Sequence, residues 1–173
     1  MVPDNFKILI SRQEIHHIIS ALAERINHDY QGKRLVLIGV LKGAFVFLAD
    51  LMRQITVPVE VDFVKLESYG HGTESSSTVK LLKDIDVNIC DRDVLIVEEI
   101  IDSGRTLLFL HERLAASKPR SLKICALLDK KARRAVTIEG HYVGKDVADK
   151  FLIGYGLDYN QAYRNLPEIY VIE

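Results

Sequence analysis

The sequence predicts an α/β domain, a mainly parallel sheet flanked by helices. Two observations predict it. Short apolar runs, among them Arg34 to Val40 (RLVLIGV), Val94 to Val97 (VLIV) and Leu122 to Leu128 (LKICALL), are rich in branched side chains and apolar on both faces. That pattern suits strands buried in a parallel sheet. Segments with helical spacing alternate with these runs, as they do where helices form the crossovers. A third observation concerns position: glycines, serines and acids cluster just after the runs, where open α/β sheets carry their ligand loops. With 173 residues, 48% hydrophobic and 27% charged, the chain is long enough for a sizeable core. It is expected to form one domain over residues 1–173.

In chain order, Phe6 to Ile10 reads as a short strand. Ser11 with Glu14 three residues later forms a capping-box pattern. Ile15, Ile18, Ile19, Leu22 and Ile26 then mark one face of a helix running to about Tyr30. His16 and His17 sit on this helix without a partner at metal-ligand spacing and are expected at the surface. Arg34 to Val40 is the second strand, and Leu41-Lys42-Gly43-Ala44 leads into an apolar helix from Phe45 to about Ile55. A glycine just after a strand lets a ligand approach the backbone closely, and Lys42 supplies positive charge.

Pro58 to Glu67 is the third strand. Ser68 to Thr78 (SYGHGTESSST) can bury no core and is expected to be a flexible loop; a loop of that length inside a domain is usually functional. Val79 to Val87 carries a weak strand pattern, and Asn88 to Asp93 a turn. Farther on, Leu122 to Leu128 runs into Asp129-Lys130-Lys131, and Lys131, Arg133 and Arg134 read as a solvated basic face. Phe151 to Tyr155 (FLIGY) is the last strand. Gly154-x-Gly156 lacks a third glycine and a following helix, so the dinucleotide fingerprint fails, and no Walker-type GxxxxGK occurs.

The chemistry concentrates in Val94 to Leu107, VLIVEEIIDSGRTL. A strand ends in Glu98 and Glu99, Ile100-Ile101 leads to Asp102, and Ser103-Gly104-Arg105-Thr106 opens a helix marked by Leu107, Leu108, Leu110 and Leu114. A helix start of this kind binds anions, because its first N–H groups lack intrahelical partners and the dipole favours negative charge. Carboxylates beside such a cradle do not hold phosphate. They accept from sugar hydroxyls or bind a bridging divalent cation, and a ligand with phosphate at one end and hydroxyls nearby is a ribose phosphate. Crowded acids also raise one another's pKa.

A net charge of −1 gives no basic surface for nucleic acid or an anionic membrane. Cys90 and Cys125 show no CxxC spacing and are expected to be reduced core thiols. No apolar run approaches membrane length, and Met1 to Glu14 has no basic-then-apolar leader pattern. The expectation is a cytoplasmic protein.

Two acids, two aliphatics, Asp, Ser and Gly resemble the phosphoribosyl-diphosphate (PRPP) signature of type I phosphoribosyltransferases. Three further motifs are similar to the hypoxanthine-guanine branch: Leu41-Lys42-Gly43, Lys130 after Leu-Leu-Asp, and Lys150 to Arg164 (KFLIGYGLDYNQAYR). The resemblance runs from the first strand to Arg164. It implies the type I phosphoribosyltransferase fold, with a small hood from the N-terminal segment and about residues 150–173. It also implies Mg2+-dependent transfer of the phosphoribosyl group from PRPP to hypoxanthine or guanine, giving IMP or GMP and pyrophosphate, by a homodimer or homotetramer.

By the same resemblance Asp102 takes the purine proton, and Glu98 and Glu99 hold the ribose hydroxyls. Residues Asp102, Ser103, Gly104, Arg105 and Thr106 hold the 5-phosphate. Leu41, Lys42 and Gly43, with a Leu41–Lys42 peptide able to turn cis, bind pyrophosphate together with Arg164. Lys130 reaches the purine 6-oxo group, Phe151 stacks on the base, Leu152 reads its edge and Asp158 lies near its 2-position. Glu98, Glu99 and Asp158 hold metal, and Ser68 and Tyr69 belong to a lid over about residues 68–78. In one respect the chain departs from the family, whose second acid is almost always Asp where Glu99 stands here. The extra methylene is expected to weaken ribose and metal placement while leaving the fold intact. Ser103 in place of Thr keeps the hydroxyl. Two other readings stay open: a PRPP-binding regulator on the same fold with little or no catalysis, and an unrelated magnesium-dependent phosphate binder.

Overall fold

The computed structural model describes residues 6–69 and 78–172. Its main sheet has six strands: β2 (Leu35–Leu41), β3 (Val59–Tyr69), β4 (Thr78–Lys83), β5 (Asp93–Ile101), β6 (Ser121–Asp129) and β7 (Tyr142–Asp146), in the order β4-β3-β2-β5-β6-β7. All neighbours are parallel except β4, which closes one edge antiparallel to β3. A separate antiparallel sheet joins β1 (Phe6–Ile10), β9 (Ile169–Ile172) and β8 (Leu152–Ile153).

Alternation along the strands sorts their side chains into two layers. Leu35, Leu37, Leu95, Val97, Cys125 and Leu127 pack under α1 (Arg12–Asp29) and α2 (Phe45–Gln54). Val36, Ile38, Val94, Ile96, Ile124 and Ala126 pack under α3 (Arg105–Ala115) through Leu107, Leu110 and Leu114. Because both faces are covered, the central strands read as unbroken apolar runs. The helix starting at Arg12 is capped as its sequence suggests, with Glu14 N donating to Ser11 Oγ at 3.2 Å. The Glu14 carboxylate, however, accepts from Lys145 Nζ and so ties α1 to β7.

Several boundaries differ from the sequence reading. The acids after Val97 lie on β5 itself, which continues to Ile101 because β6 pairs with it as far as Ile101↔Asp129. Ser68 and Tyr69 end β3 rather than starting a loop, since they pair with Val79 and Thr78. The rest of the expected lid, residues 70–77, lies outside the described residues. Neither β7 nor β9, which follows the segment read as the last strand, has a counterpart in the sequence reading. Gly144 and Lys145 interrupt the apolar pattern of β7, and pairing with β6 makes it a strand, while β9 pairs between β1 and β8. Cys90 is exposed in the turn before β5, unlike the buried Cys125.

Far from the ligand-bearing end of the sheet, the Tyr142 hydroxyl donates to Asp29 Oδ2 at 2.6 Å. That bond, with the neighbouring His28 and Lys123, holds the Asp29 carboxyl down at about 2. A depressed folded-state pKa stabilises the fold above the ordinary value of 3.8 and is lost as pH falls through about 2. Asp29→Asn should therefore flatten the acid limb of the stability curve. Denaturant midpoints measured at a series of pH values should fall more steeply for wild type than for the variant below about pH 4.

Candidate active site

Pairing between β2 and β5 ends at Gly39↔Val97. Beyond that pair each strand continues only with its outer neighbour, β2 with β3 as far as Leu41↔Lys65 and β5 with β6 as far as Ile101↔Asp129. The chain leaves β2 and β5 in opposite directions, through α2 to β3 and through α3 to β6. This is the topological switch point at which open α/β sheets bind ligands. The separated ends enclose an open cavity of ≈ 240 Å3.

Its walls bring together most of the residues singled out in the sequence. Leu41, Lys42 and Gly43 form one side, Glu98, Glu99 and Asp102 the floor, and Ser103, Gly104 and Thr106 the other side. The Leu41–Lys42 peptide bond is cis. Gly104, at φ 81°, turns the chain into α3 as its N-cap, a left-handed conformation that glycine adopts without steric cost. Arg105 lies in this turn but not on the cavity wall. Its N–H donates to Ser103 Oγ at 3.4 Å.

Electrostatics set the acids apart. Burial and the adjacent Glu99 push the Glu98 carboxyl well above the usual range. Burial also raises Glu99, while Arg164 opposes that shift and Asp158 adds to it. Glu99 Oε2 is buried with no hydrogen-bond donor. Two such carboxyls side by side suit a hard cation that arrives with oxygen ligands of its own. Among the described residues no group of three or more His, Cys, Asp or Glu side chains is placed to hold a metal ion. Asp158 is instead ion-paired with Arg164 at 2.7 Å.

The remaining candidates flank the cavity. Lys130 is 6% exposed, and its N–H donates to Ile101 O at 2.9 Å, which places it directly behind Asp102. A lysine buried to this degree departs from the solvated surface position that a residue just past a strand ordinarily takes. Phe151 is 52% exposed and meets Tyr159 edge-on, with ring centroids 5.7 Å apart. Leu152 is buried in β8. Arg164 donates to Gly156 O at 2.7 Å, and Lys42 Nζ to Gln161 Oε1 at 2.8 Å. The segment carrying these contacts holds Tyr155, Asn160, Gln161 and Tyr163 in left-handed backbone. Such conformations in non-glycine residues persist where the surroundings enforce them, often at ligand sites.

Sequence reasoning missed Arg133, Arg134 and Gln161. Arg133 Nε lies 3.3 Å from Asp102 Oδ1. Arg134 is not on a solvated face: its guanidinium is ion-paired with Asp129, whose side chain is 4% exposed. A Cβ on Gly104 would come within 3.2 Å of Arg134 Cδ and Nη1, so the arginine buttresses the turn from behind. Ala135 N donates to Ser103 O at 2.9 Å on the same side. Two consecutive arginines carry no spacing that tells one from the other, and only β6 ending beside the turn separates their roles.

The Phosphoribosyl transferase domain family matches residues 8–160 of the sequence. The chain belongs to the phosphoribosyltransferase family. It is 45% identical over 168 residues to the hypoxanthine-guanine phosphoribosyltransferase of Aquifex aeolicus (strain VF5), covering 96% of this chain and 94% of that one. It is 47% identical over 165 residues to the hypoxanthine phosphoribosyltransferase of Salmonella typhimurium, covering 94% and 93%. A crystal structure of a hypoxanthine-guanine phosphoribosyltransferase from Bacillus anthracis superposes with TM-score 0.93 at 48% identity, over 96% of this chain and 98% of that one. The mostly parallel sheet flanked by helices is thus the fold of this phosphoribosyltransferase and its relatives.

Removing Arg134 leaves the Asp129 carboxylate buried and unpaired. Arg134→Met is expected to destabilise the protein by about 3 kcal/mol. Asp129→Asn combined with Arg134→Met should lose clearly less, as measured by denaturant unfolding of the three proteins.

Proposed function

We propose that this phosphoribosyltransferase salvages purines by transferring the 5-phosphoribosyl group of PRPP to hypoxanthine or guanine, giving IMP or GMP and pyrophosphate. The supporting observation is the cavity at the β2/β5 separation, where a lysine-glycine turn, a row of acids and a helix start meet. No other cavity among the described residues joins those three chemistries. No described helix is long and apolar enough to cross a membrane, which fits a cytoplasmic enzyme, and a homodimer or homotetramer is the assembly we assign.

In this reading the Ser103–Thr106 turn holds the 5-phosphate with backbone N–H groups and hydroxyls, and the α3 dipole favours the anion. Glu98 and Glu99 accept from the ribose hydroxyls. The turn at Leu41, Lys42 and Gly43, with Arg164, receives the pyrophosphate. Phe151, exposed at the rim, stacks on the purine, Leu152 reads its edge and Asp158 faces its 2-position. Lys130 donates to the 6-oxo group, an acceptor in hypoxanthine and guanine that adenine replaces with an amino donor. Ser68 and Tyr69, at the end of β3, begin the lid that excludes water.

The reacting ring nitrogen forms a bond to C1 of the ribose while the C1–oxygen bond to pyrophosphate breaks. Asp102 takes the proton that the ring nitrogen gives up. Glu98 and Glu99 would hold Mg2+ together with ligand oxygens, joined by Asp158 once it releases Arg164, and the ion would supply charge neutralisation at the departing oxygens.

The test is a spectrophotometric assay with PRPP and Mg2+, offering hypoxanthine, guanine, xanthine and adenine separately. Turnover of hypoxanthine or guanine but not adenine is the expected result; PRPP binding without turnover of any base would sink the reading. Lys130→Ala should lower kcat/KM for hypoxanthine about tenfold to a hundredfold, the worth of a charged hydrogen bond.

A further inference from the structure

Glu99 does more than line the floor of the cavity. A Cβ placed on Gly43 would lie 2.7 Å from Glu99 Oε2 and nearer still to Oε1 and Cδ. The carboxylate therefore fills the space where a Gly43 side chain would stand, and it reaches from β5 across to the turn after β2. Its Oε2 is buried without a donor, so no hydrogen bond repays the loss of solvent at that atom. Arg164 and Asp158 both act on it electrostatically. The cations of the same region are engaged within the chain, Arg164 with Asp158 and Gly156 O, and Lys42 with Gln161.

We propose that the Glu99 carboxyl group occupies the diphosphate cradle and must be displaced before an inorganic diphosphate or a sugar diphosphate can seat on Gly43. This rests on the reading that the Leu41-Lys42-Gly43 turn takes the diphosphate. Its physical basis is reach. A carboxylate one methylene shorter on the same β5 position would stop short of Gly43, whereas Glu99 extends onto it. A diphosphate approaching the turn meets a carboxyl group that already fills the space over Gly43, and the two cannot occupy it together. The side chain must leave, and the fraction of molecules in which it has left scales the apparent affinity. The device selects by ligand part: it weakens whatever places a diphosphate on Gly43 and leaves the Ser103–Thr106 turn untouched.

The experiment is direct titration with inorganic diphosphate in metal-free buffer, which reads the cradle without ribose, purine or Mg2+. Glu99→Asp withdraws the carboxyl group from Gly43, and Glu99→Ala removes it. Each is expected to bind diphosphate about tenfold or more tightly than wild type. An affinity within twofold of wild type for either variant, with thermal unfolding showing it folded, would overturn the proposal. IMP binding by wild-type protein is measured alongside. If wild type binds IMP and the diphosphate affinities do not change, the Glu99 proposal alone fails. If wild type binds neither IMP nor PRPP, the functional reading fails, and the proposal with it.

Discussion

The end of pairing between β2 and β5 at Gly39↔Val97 is the constraint on which the rest of the site depends. Up to that pair the two strands are ordinary core, buried on both faces. Past it each follows a different outer partner, and the space between them becomes the cavity. Apart from Leu66 of β3, every residue lining that cavity is carried there by covalent continuity with one of these two strands. The lysine-glycine turn is the extension of β2, and the acids and the phosphate turn are the extension of β5. The cavity is therefore built on the buried central strands of the sheet, which suits a reaction that tolerates little misplacement.

That arrangement also concentrates like charge. Glu98 and Glu99 are adjacent, and burial pushes both carboxyls upward, with the charge of Glu99 adding to the rise of Glu98. A fold selected for stability alone would not place two acids beside the anion-binding start of a helix. They make sense as receptors for hydroxyls and for a cation that enters with its ligand. Around them the chain has built compensating contacts: Arg133 at Asp102, Arg134 under Gly104, and Arg164 beside Asp158. Basic residues that looked like surface decoration thus prove to be supports of the acidic site.

Much of this was legible in the sequence. The unbroken apolar runs announce strands covered on both faces, and the acids and small residues after Val97 announce an anion site beside hydroxyl acceptors. The resemblance in Leu41-Lys42-Gly43 and in Lys150 to Arg164 pointed to the family that the comparisons then showed. The errors in strand boundaries share one cause. Strand ends are set by the neighbouring strand, which is why β5 runs on through its acids, β3 keeps Ser68 and Tyr69, and β7 went unseen. Cys90, expected in the core, lies exposed in the polar turn that precedes β5.

By itself the sequence determined the α/β class and marked the Ser103–Thr106 turn, with the acids before it, as a candidate anion site. These follow from local periodicity, from helix-start chemistry and from residue types that have few other uses at those positions. Only the tertiary structure decided which side chains share a space. The strand order brings β2 beside β5, across more than fifty residues of chain. That neighbourhood places Glu99 on Gly43, while the pairing of β5 with β6 places Arg134 behind Gly104 and Lys130 behind Asp102. No local pattern encodes such contacts, because each joins segments whose proximity is a property of the closed sheet.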